Sequence, residues 1–422
     1  PGAPDPLMTP DPAPAASWNR RHWLVLAVGL AVAALIRAAL FPLPGLAGDM
    51  DEFATWVQGL TAEPFGQAYD RDLTFPPVMV YLWGALAVLV PAFAWATDAS
   101  DPAVRIALKL LPTIADAGLV AGVAFALRGR PWWAVAGALS IALHPAVIDV
   151  SALFGQYESV YVLFGLGAYL LAIRNHSRWA VVVLALALMT KPQALPFLVP
   201  FGAWFVAREG WAGAARLAAI GAATIVVLWL PFVADGGPAG YVRSIALHQD
   251  DLFAVLSLRA WNPWWILQVV AADGAFVSDS VSIVGPVTLR VVGIVIAALL
   301  ELVVFAAVLR RPTPTGLAWG LLAASLVAFM VLTTMHERYA YPALVFVVLL
   351  FPDRRAVALW AAFSLAFTLN LLAAVPPTPE VGAVLPVAGW LGIAGSVAMT
   401  AIALSTVVAV RAPVSDLEEH AL

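Results

Sequence analysis

The chain contains no cysteine, and of its 22 basic residues only Lys109 and Lys191 are lysine. The missing thiols exclude disulfides, thiolate zinc sites and a cysteine nucleophile. Charge is scarce too: 11% of the 422 residues are charged and the formal net charge is −4. That balance leaves no basic face to steer the chain toward nucleic acid. What fills the space is apolar. Hydrophobic residues make up 62% of the chain and the mean hydropathy is +0.91, against about 45–50% apolar and about 25% charged in soluble domains. No soluble fold of this size hides that much apolar surface. The expectation is an all-α, polytopic integral membrane protein.

Residues 1–17 are Pro- and Ala-rich and read as a disordered tail. The first apolar run, 23–41, follows Arg20 and Arg21 and has the ~20 residues that span a bilayer; it reads as an anchor, not a cleavable signal. Further apolar blocks follow to residue 410, and about 12 or 13 spans are expected. Residues 18–411 form one domain, and the acidic tail 412–422 reads as disordered. Arg20/Arg21, Arg128/Arg130, Arg174/Arg178, Arg208/Arg216, Arg310/Arg311, Arg354/Arg355 and Arg411 assign their ends to the cytoplasm, with the N-terminus inside. The Ala/Val/Arg/Pro bias with few lysines reads as a GC-rich, bacterial genome, so the membrane is the plasma membrane. Residues 75–127 look like two helices, yet this arginine pattern requires an odd number of crossings; either one helix is re-entrant or Arg128/Arg130 break the rule. No internal repeat of the inverted-transporter kind is visible.

Two external loops of substance result, 42–74 and 234–283. The first carries Gly48-Asp49-Met50-Asp51-Glu52-Phe53-Ala54-Thr55-Trp56, three carboxylates within four residues. On a helix Asp49, Phe53 and Trp56 share a face at i, i+4 and i+7, with Asp51 elsewhere. The bland alternative is that Asp49 caps the helix and Asp51 and Glu52 favour its dipole. Clustered carboxylates at Asp49, Asp51 and Glu52 also suit a divalent cation. Thr74-Phe75-Pro76-Pro77 reads as a helix start. In the second loop Asp235-Gly236-Gly237-Pro238 reads as a turn, and Asn262-Pro263-Trp264-Trp265 suits a headgroup interface.

Ionisable residues inside apolar blocks are candidate functional groups, since a charge at the bilayer centre costs roughly 2.5–3.5 kcal/mol on insertion scales. Lys109 and Asp116 lie two turns apart on one helix face and suit pairing with other helices. His144-Pro145 and Asp149 precede Phe154-Gly155-Gln156-Tyr157-Glu158. Lys191-Pro192-Gln193 forms the polar tip of a hairpin and implies a water-filled cavity. Met335-His336-Glu337-Arg338-Tyr339 separates two apolar blocks. Together these polar groups suggest a cavity for an anion, with Lys191 and Arg338 as cations and Gln156 and His336 as hydrogen-bond partners.

In this order the motifs resemble the GT-C superfamily of membrane glycosyltransferases that use polyprenyl-phosphate-linked sugars. Two branches are similar: the dolichyl-phosphate-glucose-dependent glucosyltransferases of N-glycan assembly, and bacterial relatives of the GPI mannosyltransferases. Gly48-Asp49…Trp56 matches the GD-aromatic-E…HW run, and Phe75-Pro76-Pro77 matches YPP. His144-Pro145-Ala146…Phe154-Gly155-Gln156-Tyr157-Glu158 matches HPA…FQYN, with Gly155 and Glu158 departing from it. His336-Glu337-Arg338-Tyr339-Ala340-Tyr341-Pro342-Ala343-Leu344 matches HEK…PAL, and HERY with KPQ is the bacterial form. The likeness covers most of 23–351.

The resemblance implies a GT-C fold with short external-loop helices and an inverting transfer of a hexose, mannose before glucose, at the non-cytoplasmic face. It implies a polyprenyl-phosphate sugar donor, a glycolipid, polysaccharide or protein acceptor, and a place in cell-envelope glycan assembly. No cofactor is required in that family. The general base is Asp49 by position, with Asp51 as the alternative. Glu52, Trp56, Gln156, Tyr157, Glu158, Lys191, Gln193, Arg243, Arg259, Asn262, His336 and Arg338 are the candidate substrate-binding residues, with cations among them to meet the departing phosphate. The competing reading is a transporter or flippase for a lipid-linked or anionic substrate, because intramembrane Lys, Asp and His occur there too.

Overall fold

A computed structural model describes residues 17–251 and 253–411. Most of the two expected tails, and any contact they make, lie outside these residues. The described chain is helical apart from four strands of two or three residues. Seven helices are long and apolar enough to cross a membrane, eight if one bent pair is a single span. The expected count of spans is reached only by adding the four apolar helices of 10–17 residues. Those are short because polar motifs interrupt the apolar blocks.

Helix α1 (Arg20–Leu40) starts at Asn19, whose side chain accepts from the Arg21 and His22 amides while His22 returns the bond. This is a reciprocal cap. Only His22, Leu26, Gly29, Ala33 and Arg37 are buried, at i, i+3 and i+4 spacing. The rest of the helix is apolar and exposed, as a lipid-facing surface requires. Loop 42–74 holds α2 (Ala47–Ala62) and a 3₁₀ turn, Phe65–Asp70. Then come α3 (Pro77–Leu89) and α4 (Pro102–Ala126). With 13 residues, α3 rises only ~20 Å, too little for the ~30 Å hydrocarbon core. Only α4 of this pair has the length to cross, which accords with the alternative in which one of the two helices does not span.

Helices α5 (Pro131–Ala142) and α6 (Pro145–Ile148) are broken at His144-Pro145; α6 continues as a π-helical segment, Asp149–Phe154, and the two halves meet at 47°. Gly155 follows at φ +78°, a left-handed conformation open to glycine. It turns the chain so that Gln156, Tyr157 and the start of α7 (Glu158–Ala172) lie inside the protein. Helix α8 (Ser177–Leu188) leads to Lys191 and a 3₁₀ turn, Pro192–Phe197. Helix α9 (Leu198–Val233) is two helices joined at Gly210, where φ is +69°, between the expected Arg208 and Arg216.

The second loop forms α10 (Gly237–Asp251), β1 (Ser257–Leu258), α11 (Pro263–Ala272) and a hairpin of β2 (Ser282–Val284) and β3 (Val287–Thr288). Of the two tryptophans expected at a headgroup interface, Trp264 donates to the Val331 carbonyl at the end of α13, and Trp265, buried, donates to the Val387 carbonyl before α17. Helices α12 (Leu289–Arg310), α13 (Pro314–Val331), α14 (Tyr341–Val348), α15 (Arg354–Ala374), α16 (Pro379–Val384) and α17 (Gly389–Ala409) complete the body, with β4 (Met335–His336) before α14. Almost all of α13 and α14 is buried, so they are the centre of the helical body. β4 pairs in parallel with β1, Leu258 opposite His336, which stitches the second loop to the His336-Glu337-Arg338 segment.

Candidate active site

Asp49 sits in the first turn of α2, where the helix dipole favours a carboxylate. It does not cap the helix. The N-cap is Leu46, without a side-chain cap bond, and the Asp49 carboxylate points into the protein instead. Its Oδ2 accepts from Gln156 Nε2 at 2.7 Å and from Arg338 at 3.2 Å. Oδ1 makes no hydrogen bond to a described residue, and the side chain is 36% exposed. Beneath it Phe53, Trp56, Phe75, Trp83 and Tyr157 pack ring on ring, with centroids 5.1–6.1 Å apart. This wall fixes the face of α2 that carries Asp49. Trp56 and Tyr157 are part of it, so they serve packing and not an open subsite.

Glu158 is buried at the first position of α7. Its Oε1 accepts from Lys191 at 2.5 Å and lies 3.5 Å from Arg338 Nε. Lys191 also lies over the Phe75 and Tyr339 rings, at 5.6 and 5.2 Å. Lys191 is therefore satisfied by protein groups, whereas Gln193 of the same hairpin tip keeps an unbonded Oε1. Arg338 further donates to Glu337 at 3.1 Å and lies 3.2 Å from His336 Nδ1. Burial pushes Glu337 up, but Arg338 and His336 outweigh it and hold the carboxyl down at about 2. Burial and the Arg338 guanidinium hold His336 below its ordinary 6.5, so it is neutral at pH 7. Asp49, Glu158 and Glu337 thus face Lys191 and Arg338. This corrects one expectation: both cations are already balanced by carboxylates, and neither is an open cation waiting for an anion.

The remaining candidates lie elsewhere. Asp51 accepts from the Ala99 amide at 2.9 Å and ties α2 to the linker before α4. Glu52 is on the rim, 3.6 Å from His248 of α10; burial, offset in part by His248, raises its pKa, and Asp49 adds to the rise. The three acids of the first loop do not converge. Among the described residues no group of three or more His, Asp or Glu is placed to hold a metal. Arg243 is exposed on α10. Arg259, also exposed, donates to the Ala374 carbonyl, its backbone bridging to His336. Asn262 is buried and structural: it caps α11 and donates to the Phe329 carbonyl. Gln193 is half-buried with its Oε1 unbonded.

Glu337, Tyr339 and His248 are members or neighbours of the site that sequence reasoning did not select. Glu337 was the most accessible of them, as an acid between two chosen residues. Two other intramembrane charges named from the sequence are tied into the helix packing. Asp116 accepts from Arg37, Ser151 and Tyr341 at 3.0, 2.6 and 3.0 Å. Lys109 donates to the Leu43 and Leu40 carbonyls at the end of α1. The cluster around Asp49 lies where α1 and α13 end, remote from Arg20/Arg21 and from Arg310/Arg311; α13 alone, at 18 residues, separates these levels by ~27 Å. Compared with known proteins, the chain matches no family model and no curated protein.

Proposed function

We propose that the protein is an inverting membrane glycosyltransferase of the GT-C type. It moves a hexose, mannose before glucose, from a polyprenyl phosphate to a hydroxyl acceptor on a glycolipid, polysaccharide or protein. The observation that carries this reading is Asp49. One carboxylate oxygen is held by two donors from two other segments, and the other is free and partly exposed. That is what a general base needs: a fixed direction and one open lone pair. The acceptor hydroxyl gives its proton to Oδ1 as its oxygen bonds to the anomeric carbon. The bond from that carbon to the phosphate oxygen breaks on the opposite side, so the configuration inverts. Polyprenyl phosphate leaves with the bonding pair.

Developing charge on the phosphate needs donors. Lys191 and Arg338 are shared with Glu158 and Glu337, and the exposed Arg243 and Arg259 of the second loop are the further candidate cations. No step calls for a metal, because the lipid phosphate is already a good leaving group. With the arginine-rich ends in the cytoplasm, the site opens outside a bacterial plasma membrane. A transporter for a lipid-linked or anionic substrate is the competing reading; such sites lie near the bilayer midplane, whereas this cluster lies at helix ends. The test is turnover by the detergent-purified protein of labelled polyprenyl-phosphate mannose or glucose, with a membrane-lipid extract as acceptor. Release of polyprenyl phosphate with a product of inverted anomeric configuration is expected. Movement of the donor across sealed vesicles without turnover would defeat the proposal.

A further inference from the structure

At the far end of α12 from the second loop, the helix ends beside the C-terminal end of α17. Between them lies a cleft of about 310 Å³ lined by Leu302, Val303, Ala306, Arg310, Arg311 and Arg411. Its two halves differ in chemistry. Toward the middle of α12 the wall is apolar and continues into the exposed Leu302, Leu299 and Val295. At the end three arginines close it. Arg310 and Arg411 are exposed, and neither has a carboxylate partner among the described residues. Guanidinium groups present paired donors that match phosphate oxygens. An apolar track ending in such a cluster is the complement of one molecule: a phosphate carried at the end of acyl chains.

We propose that this cleft is a binding site for the phosphate of an anionic membrane phospholipid, its acyl chains lying along the exposed face of α12. The site is separate from the Asp49 cluster, since it adjoins the start of α13 and not its end. The proposal stands whether or not the protein transfers sugars.

The test is thermal unfolding of the full chain in neutral detergent micelles. The titrants are phosphatidylglycerol, phosphatidylcholine and inorganic phosphate at matched ionic strength. Phosphatidylglycerol should raise the midpoint saturably, and the other two should not. In Arg310→Gln/Arg411→Gln the lipid needed for half the effect should rise roughly 30-fold, about fivefold for each surface cation removed. Arg20→Gln/Arg21→Gln, the same change of charge on α1, should respond as wild type. Ala306→Phe, which narrows the cleft and keeps every charge, should also weaken the response. An undiminished response in both cleft variants overturns the proposal. So does a response to phosphatidylcholine or to inorganic phosphate alone, or an equal loss in the α1 control.

Discussion

Two of the buried ionic networks among the described residues are built from the same kinds of residue and finished differently. In the first, Arg37 of α1 meets Asp116 of α4, and both carboxylate oxygens are bonded, to Arg37, Ser151 and Tyr341. Arg37 also donates to the Ala142 and Ala33 carbonyls. Both side chains are under a tenth exposed. In the second, Asp49, Gln156, Glu158, Lys191, Glu337 and Arg338 form a longer chain of contacts. Each network leaves its arginine Nε without a hydrogen bond, but only here are carboxylate oxygens also left over: Asp49 keeps a free one at the surface, and Glu158 Oε2 is unbonded. A closed network holds helices together; an open one leaves valence for something else. Burial of charge alone therefore does not single out a site in this chain; the proposed site rests on incomplete satisfaction beside an exposed carboxylate.

The largest effect should come from breaking the closed network. Asp116→Ala leaves Arg37 buried without its counter-charge, and such losses cost about 3–5 kcal/mol. The variant should lose most of its folded yield, or unfold far below wild type in detergent. Unfolding at the wild-type midpoint would mean that the pair is not structural. Lys191→Met should cost less, about 1–3 kcal/mol, because Arg338 remains 3.5 Å from Glu158. Its effect on sugar transfer should exceed its effect on stability, since Arg338 would be drawn from Asp49 toward Glu158. A variant of unchanged rate would show that the open network does not orient the base.

Much of this contrast was legible in the sequence, for definable reasons. Helical phase alone set Asp49 on the face of Phe53 and Trp56 and turned Asp51 away, because residues two apart on a helix face nearly opposite directions. Pro76-Pro77 marked the start of α3 by the same local logic. Pairing was not legible. Lys191 and Glu158 are 33 positions apart, and Arg37 and Asp116 are 79; no local pattern states which helices meet. Arg37 was passed over because it lies inside a run read only as a span, although a charge in such a run demands a partner. That Lys191 and Arg338 come paired with carboxylates was not legible for the same reason. Their carboxylates were named individually, but their proximity is a property of the packing of α7, the Lys191 turn and the segment before α14.

The smallest predicted effect concerns pH. His336 is held below 6.5 by burial and by Arg338, so below that pH the unfolded chain binds a proton that the folded chain refuses. Its contribution to stability is present above about 6.5 and falls as the pH drops toward the lowered folded value. Unfolding midpoints of wild type should therefore decline as the pH falls below about 6.5, and His336→Gln should flatten that part of the curve. Parallel curves would show that His336 is not held neutral by its surroundings.

The central claim is that Asp49, and not Asp51, is poised as the base, and one paired assay addresses it most directly. Asp49→Asn and Asp51→Asn, each purified in detergent and matched to wild type by unfolding midpoint, would be given labelled polyprenyl-phosphate mannose or glucose and a lipid-extract acceptor. Transfer should fall about 10²–10⁴-fold in Asp49→Asn and stay near wild type in Asp51→Asn, whose carboxylate accepts from the Ala99 amide, away from Asp49's partners. The reverse pattern, or equal rates in both variants, would contradict the account.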